Sequence, residues 1–149
     1  MKLTLAAIAS CVIILASAGA CGANEWVKLG ETVWGTYHYD KASVKKGGRF
    51  VTVTSKQNLN VKMAEALEEA LPNAKGVAYA VVYELIDCEE GLYKQNSIVY
   101  YDRNDRVIYD SELTRKQYRE IAPRPIPLDT PIGWLAETVC EPEEQTPAK

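Results

Sequence analysis

The stretch YELIDCEEGLYKQNSIVYYD, residues 83–102, holds two strand-like runs joined by a turn, with Cys88 at the end of the first run and the acidic pair Glu89 and Glu90 just after it. Read upstream, GVAYAVVYELIDC (76–88) is the longest apolar strand of the chain. Successive side chains of a strand point to opposite faces, so Tyr79, Val81, Tyr83 and Leu85 share one face and Ala80, Val82, Glu84, Ile86 and Cys88 the other. Its length and apolar character place it at the centre of a sheet. Read downstream, RVIYDSEL (106–113) turns back onto GLYKQNSIVYYD across DRND (102–105). Adjacent strands with links this short imply an antiparallel meander.

The pattern continues outward on both sides. EWVKLGE (25–31) sets Trp26 and Lys28 against Val27 and Leu29 and reads as an edge strand. GTYHYD (35–40) alternates strictly, with Tyr37 and Tyr39 on one face and Thr36 and His38 on the other. DKASVKKGG (40–48) turns the chain, and RFVTVTSKQ (49–57) is a further strand, rich in β-branched residues. At NVKMAEALEEALPN (60–73) the period changes. Val61, Ala64, Leu67 and Leu71 recur at helical spacing, Asn60 is an N-cap and Pro72 a stop. TRKQYREIAP (114–123) holds a short helical turn, and RPIPLDTP (124–131), with three of the seven prolines, is extended. Thr130 and Pro131 then open a last helix whose apolar stripe is Ile132, Leu135 or Ala136, and Val139. The expected fold is α+β: an antiparallel sheet of about five to six strands backed by a C-terminal helix and one or two short helices. It forms one domain over residues 24–141, followed by a flexible acidic tail at 142–149.

The first residues are expected to lie outside that domain. Lys2 followed by the uncharged run LTLAAIASCVIILASAGA has the layout of a secretory signal peptide. A membrane anchor is the competing reading, and the small residues at the end of the run and the missing basic flank weigh against it. Cleavage after Ala23 gives a signal peptide of residues 1–23. Alternatively Gly19, Ala20 and Cys21 form a lipobox, the signal is 1–20, and Cys21 is lipidated, which gives the only route to a membrane.

Removing residues 1–20 takes one lysine and no acid, leaving 16 basic against 20 acidic residues, a net charge of −4. That mild balance disfavours nucleic acid, and no nucleic-acid partner is expected, because phosphate binding needs a concentrated basic face. The one dense basic stretch carries Lys41, Lys45, Lys46 and Arg49, read either as a solvated loop or as a binding loop. Of the four cysteines, Cys11 falls in the signal segment and Cys21 is removed, lipidated or left odd. Cys88 and Cys140 remain, and in an exported protein an isolated pair is most simply a disulfide. A metal site is the weaker alternative, since two distant cysteines do not fill four ligands.

No catalytic signature stands out. His38 is the single histidine and has no nucleophile motif near it. No G-x-S-x-G, H-E-x-x-H, P-loop or C-x-x-C motif occurs. Asp102, Asn104, Asp105 and Asp110 hint at calcium, but the glycine and terminal glutamate of an EF-hand loop are missing, and Asn and Asp also suit a hairpin turn. No cofactor is expected. The nine tyrosines are read as covering a sheet face or as a binding platform.

Taken together, EWVKLG, YHYDKASVKKGGRFVTV, YELIDCEE, NSIVYYDRNDRVIYDSE and REIAPRPIPLDTPIGWLAETVCE resemble the bacterial surface-adhesin protein E family from Trp26 to Cys140. The Asp87-Cys88 step, the Tyr100-Tyr101-Asp102 hairpin and the Ile121-Ala122-Pro123 to Cys140 end carry most of the likeness. The resemblance implies an antiparallel sheet backed by helices, export to the cell envelope, often as a lipoprotein, and in some members binding of host extracellular proteins. The expected protein is therefore a non-catalytic, exported binding module placed in the periplasm, on the outer surface or outside the cell. Extracellular-matrix or surface proteins are its candidate partners, and a homodimer is a candidate assembly. The alternative is an envelope accessory protein with no external ligand.

Overall fold

The computed structural model describes residues 24–71, 74–111 and 115–141. The expected signal segment with Cys11 and Cys21, the helix stop at Pro72 and the acidic tail at 142–149 lie outside the described residues.

Strands β1 (Trp26–Thr32), β2 (Gly35–Asp40), β4 (Phe50–Leu59), β5 (Val77–Asp87), β6 (Leu92–Asp102) and β7 (Val107–Asp110) run antiparallel and neighbour one another in that order. This is the expected meander, with β5 inside it. Two further strands bring the sheet to eight: β3 (Lys45–Gly47) pairs with β4, and β8 (Arg124–Pro125) pairs with β6. Each is too short to show a period of two, so local pattern gives no signal for it. The turn at 102–105 forms as expected, with Asp102 Oδ1 accepting the amides of Asn104 at 2.7 Å and Arg106 at 3.0 Å.

Helix α1 (Val61–Ala70) is capped by the Asn60 side chain, which accepts the Met63 amide. No residue of α1 is fully buried, and Val61, assigned to its apolar stripe, is 68% exposed. The helix packs chiefly on β4 and β5, and its stripe is half-covered rather than sunk in a core. Helix α2 (Arg115–Glu120) is the short turn expected there, and the Tyr118 carbonyl accepts the Lys94 ammonium at 2.8 Å.

Helix α3 (Pro131–Cys140) has Thr130 as its N-cap and Pro131 in its first turn, and it buries Gly133, Leu135, Ala136 and Val139. These pack on one face of the sheet against Tyr39, Val51, Val53 and Ile86. Burying residues such as Leu135 and Ile86 stabilises the fold by about 1.5–3 kcal/mol each. On the opposite face, α2 meets the sheet at Lys94, whose ammonium lies 4.4 Å from the Tyr118 ring centroid, and β1, β2 and β4 present Trp26, His38 and Lys56 there. The Cys88–Cys140 disulfide joins the end of β5 to the end of α3, with the two Cα atoms 5.5 Å apart. The sheet is thus covered by α3 on one face and tethered to it at one corner.

Candidate functional site

The face opposite α3 gathers aromatic and cationic side chains by register alone. Trp26 of β1 opposes Asp40, His38 opposes Lys56, Asn58 opposes Tyr79, and Tyr79 opposes Tyr101. All of these point away from α3. The Lys56 ammonium sits 3.9 Å from the Tyr79 ring centroid and 5.6 Å from that of Trp26. Tyr79 stacks on Tyr101 with centroids 4.8 Å apart and planes 10° from parallel. The Tyr79 hydroxyl donates to Asp105 Oδ1 at 2.8 Å, which fixes the ring against the β6–β7 turn. Burial, then the Asp105 bond, push this hydroxyl above its ordinary titration range, so it stays a donor. The row Trp26–Lys56–Tyr79–Tyr101 borders an open cavity of about 560 Å³, with Thr54 and Tyr83 in its lining. Tyr83 is 42% exposed.

Of the basic residues singled out in the sequence, Lys45 joins this face. It pairs with Thr52 in the β3–β4 hairpin and lines a neighbouring cavity of about 490 Å³ with Tyr83 and Tyr118. The other three go elsewhere. Lys41 opens a single 3-10 turn (Lys41–Ser43) capped by Asp40, and its ammonium lies 3.8 Å from Glu25. Lys46 donates to the Glu141 carbonyl at 3.0 Å, beside the end of α3. Arg49 turns to the corner after β5, 3.0 Å from Asp87, 3.5 Å from Glu90 and 3.8 Å from Glu89. The expected loop is therefore a turn and a hairpin, in which Lys41 and Lys46 border one cavity of about 660 Å³ while Lys45 lies on the other face of the sheet.

His38 lies on the face opposite α3, half-buried. Burial, then the neighbouring Lys28 and Lys56, hold its imidazole below its ordinary range, so it carries no charge at neutral pH. No serine or cysteine side chain bonds to it among the described residues. The described residues contain no group of three His, Cys, Asp or Glu side chains placed to hold a metal ion. Asp102, one of the residues that hinted at calcium, accepts the Arg106 guanidinium instead at 2.6 Å. Lys56 and Trp26 were not legible as site residues, because only cross-strand register brings them to Tyr79.

The sequence profile of surface-adhesin protein E matches residues 26–141. The chain belongs to the surface-adhesin protein E family. The match runs from the first residue of β1 to the residue after Cys140, so it covers the sheet, the disulfide and the face opposite α3. No curated protein matches the chain. Among the described residues, no helix of this surface-adhesin domain is long and apolar enough to cross a membrane.

Proposed function

We propose that this member of the surface-adhesin family is an exported, non-catalytic binding module. It holds a surface or extracellular-matrix protein on the sheet face opposite α3. One observation carries the reading: that face presents a preformed row of Trp26, Lys56, Tyr79 and Tyr101, with Tyr83 and Lys45 beside it. Rings already fixed by stacking and by the Asp105 bond lose little freedom on contact, which is why aromatic residues dominate the energy of protein interfaces. Lys45 and Lys56 add attraction that steers an acidic partner and weakens with salt.

The segment before Asn24 supplies the export. Cleavage after Ala23 releases a soluble domain, whereas a lipid on Cys21 holds the sheet within a few residues of the membrane. Intact mass of the processed protein separates the two. An acyl-sized increment identifies the lipid, and a start at Asn24 excludes it. Protease shaving of intact cells tests the surface assignment. Degradation on whole cells supports it, and protection until the outer membrane is opened favours the envelope accessory reading.

A further inference from the structure

Glu84 stands on the helix-covered face of β5, between Val82 and Ile86. It is only 8% exposed. The Ser55 hydroxyl donates to its Oε1 at a long 3.3 Å, and its Oε2 is shut off from solvent with no hydrogen-bond partner. Pro131, Ile132 and Leu135 from the N-terminal half of α3 lie across it, around a cavity of about 190 Å³. A carboxylate sealed in this way lacks the donors it would have in water and costs several kcal/mol to keep ionised.

Among the described residues, no charged group bonds to Glu84: its hydrogen-bond partner is the neutral Ser55 hydroxyl. The titratable groups on the same sheet face are Tyr37 and Tyr39 of β2 and Tyr93 and Tyr100 of β6, and Arg124 of β8 reaches this side, with its guanidinium 5.0 Å from the Tyr93 ring centroid and 3.3 Å from Gln95 Oε1. Strand β4 offers Ser55, and the covering part of α3 offers no titratable side chain. Asp40 and Lys45 lie on the opposite face of the sheet, by their pairing with Trp26 and Thr52, and His38 borders the cavity from β2 while its pairing with Lys56 places its side chain on that opposite face. The two ends of α3 are also held differently. Cys140 is bonded to Cys88, whereas the N-terminal half is held by packing alone.

We propose that α3 is a proton-controlled latch: ionisation of Glu84 frees the N-terminal half of the helix from the sheet, while the Cys88–Cys140 bond retains its C-terminal end. With the helix seated, burial pushes the Glu84 carboxyl up to about 7, and the Ser55 bond only partly offsets this. With the helix lifted, water reaches the carboxylate and it returns to the ordinary value of 4.5. A group that binds its proton more tightly in the closed state favours closure fully below 4.5 and loses that contribution as pH rises through about 7. The opening equilibrium therefore rises about tenfold per pH unit across this window, roughly 300-fold in all. Opening bares Leu135 and the sheet surface beneath it, so the latch is shut in acid and loosened at neutral pH.

Amide hydrogen exchange on the disulfide-intact protein from pH 4 to 8, corrected for intrinsic exchange, tests this. The expected result is that protection at Leu135 and Ala136 falls about tenfold per unit between pH 5 and 7. Val139 and Cys140 keep theirs, and Glu84→Gln abolishes the slope. A flat wild-type profile, an equal slope in Glu84→Gln, or Val139 falling in step with Leu135 overturns the latch. A ¹³C titration of the wild-type Glu84 carboxyl decides the matter if the variant fails to fold. An ordinary glutamate value overturns the proposal, and a value near 7 together with the Leu135 slope supports it.

Discussion

Lys56 lies with its ammonium 3.9 Å from the centre of the Tyr79 ring and 5.6 Å from that of Trp26, so one lysine of β4 ties together residues of β1 and β5. Exposed cation–π contacts contribute about 0.5–1 kcal/mol each, too little for the fold to depend on them. Lys56→Ala is expected to lower stability by no more than about 1–2 kcal/mol, measured by urea denaturation. The same change removes the charge at the middle of the aromatic row, so its main effect is expected on binding.

The disulfide closes a loop with a sequence separation of 52 residues. By chain entropy this is worth about 4 kcal/mol, and native bridges in small exported domains measure about 2–5 kcal/mol. Cys88→Ser or Cys140→Ser should lower unfolding stability by that amount. Non-reducing peptide mapping of the wild type should recover residues 88 and 140 in one cross-linked peptide, and alkylatable thiols at both positions would contradict the pairing.

Arg49 is held at the corner after β5 by Asp87, Glu89 and Glu90. Its partner Asp87 has a side chain only 9% exposed, and the Arg49 carbonyl accepts the Cys88 amide at 2.9 Å. Asp87 keeps bonds from the Glu89 and Glu90 amides when the guanidinium is removed, which moderates the loss. Arg49→Ala is expected to cost about 1–2 kcal/mol in a denaturation experiment. Neutralising Lys41, Lys45, Lys46 and Arg49 together would therefore mix a stability effect into any binding result, and Lys45 is the informative member.

Gly30 lets α3 approach β1. A Cβ there would stand 2.6 Å from the Trp134 ring, closer than side-chain carbons pack. Gly30→Ala must displace the indole, and overpacking of this kind costs about 1–3 kcal/mol. Thermal unfolding measures the loss. A second change, Trp134→Leu, is expected to recover part of it by removing the ring.

Much of this fold was legible locally, because its long strands and capped helices follow one period each. The alternation in β2, the turn at Asp102–Asp105, the Thr130–Pro131 helix start and the Cys88–Cys140 pair all stand where residue types place them. What the sequence lacked was register. Lys56 meets Tyr79 and Trp26 because β4 pairs with β2 and β5 at one alignment, and no local pattern encodes that alignment. Lys45 and Lys46 form a three-residue strand, too short to show a period in the sequence. Glu84 was on the correct face by parity, but only the seating of α3 reveals that its carboxylate is enclosed.

The sheet face opposite α3 is the proposed binding surface of this surface-adhesin family member. Binding to a panel of purified extracellular-matrix proteins, measured at low and physiological salt, tests it most directly with four proteins. These are wild type, a Lys56→Ala, Tyr83→Ala pair, Lys45→Ala, and Lys46→Ala as a control on the helix-covered side. The expected result is wild-type binding to at least one matrix protein, reduced tenfold or more by the pair (about 1.4 kcal/mol or more). Lys45→Ala should weaken it chiefly at low salt, and Lys46→Ala should leave it unchanged. Wild type binding nothing on the panel, or all four proteins binding alike, would contradict the claim.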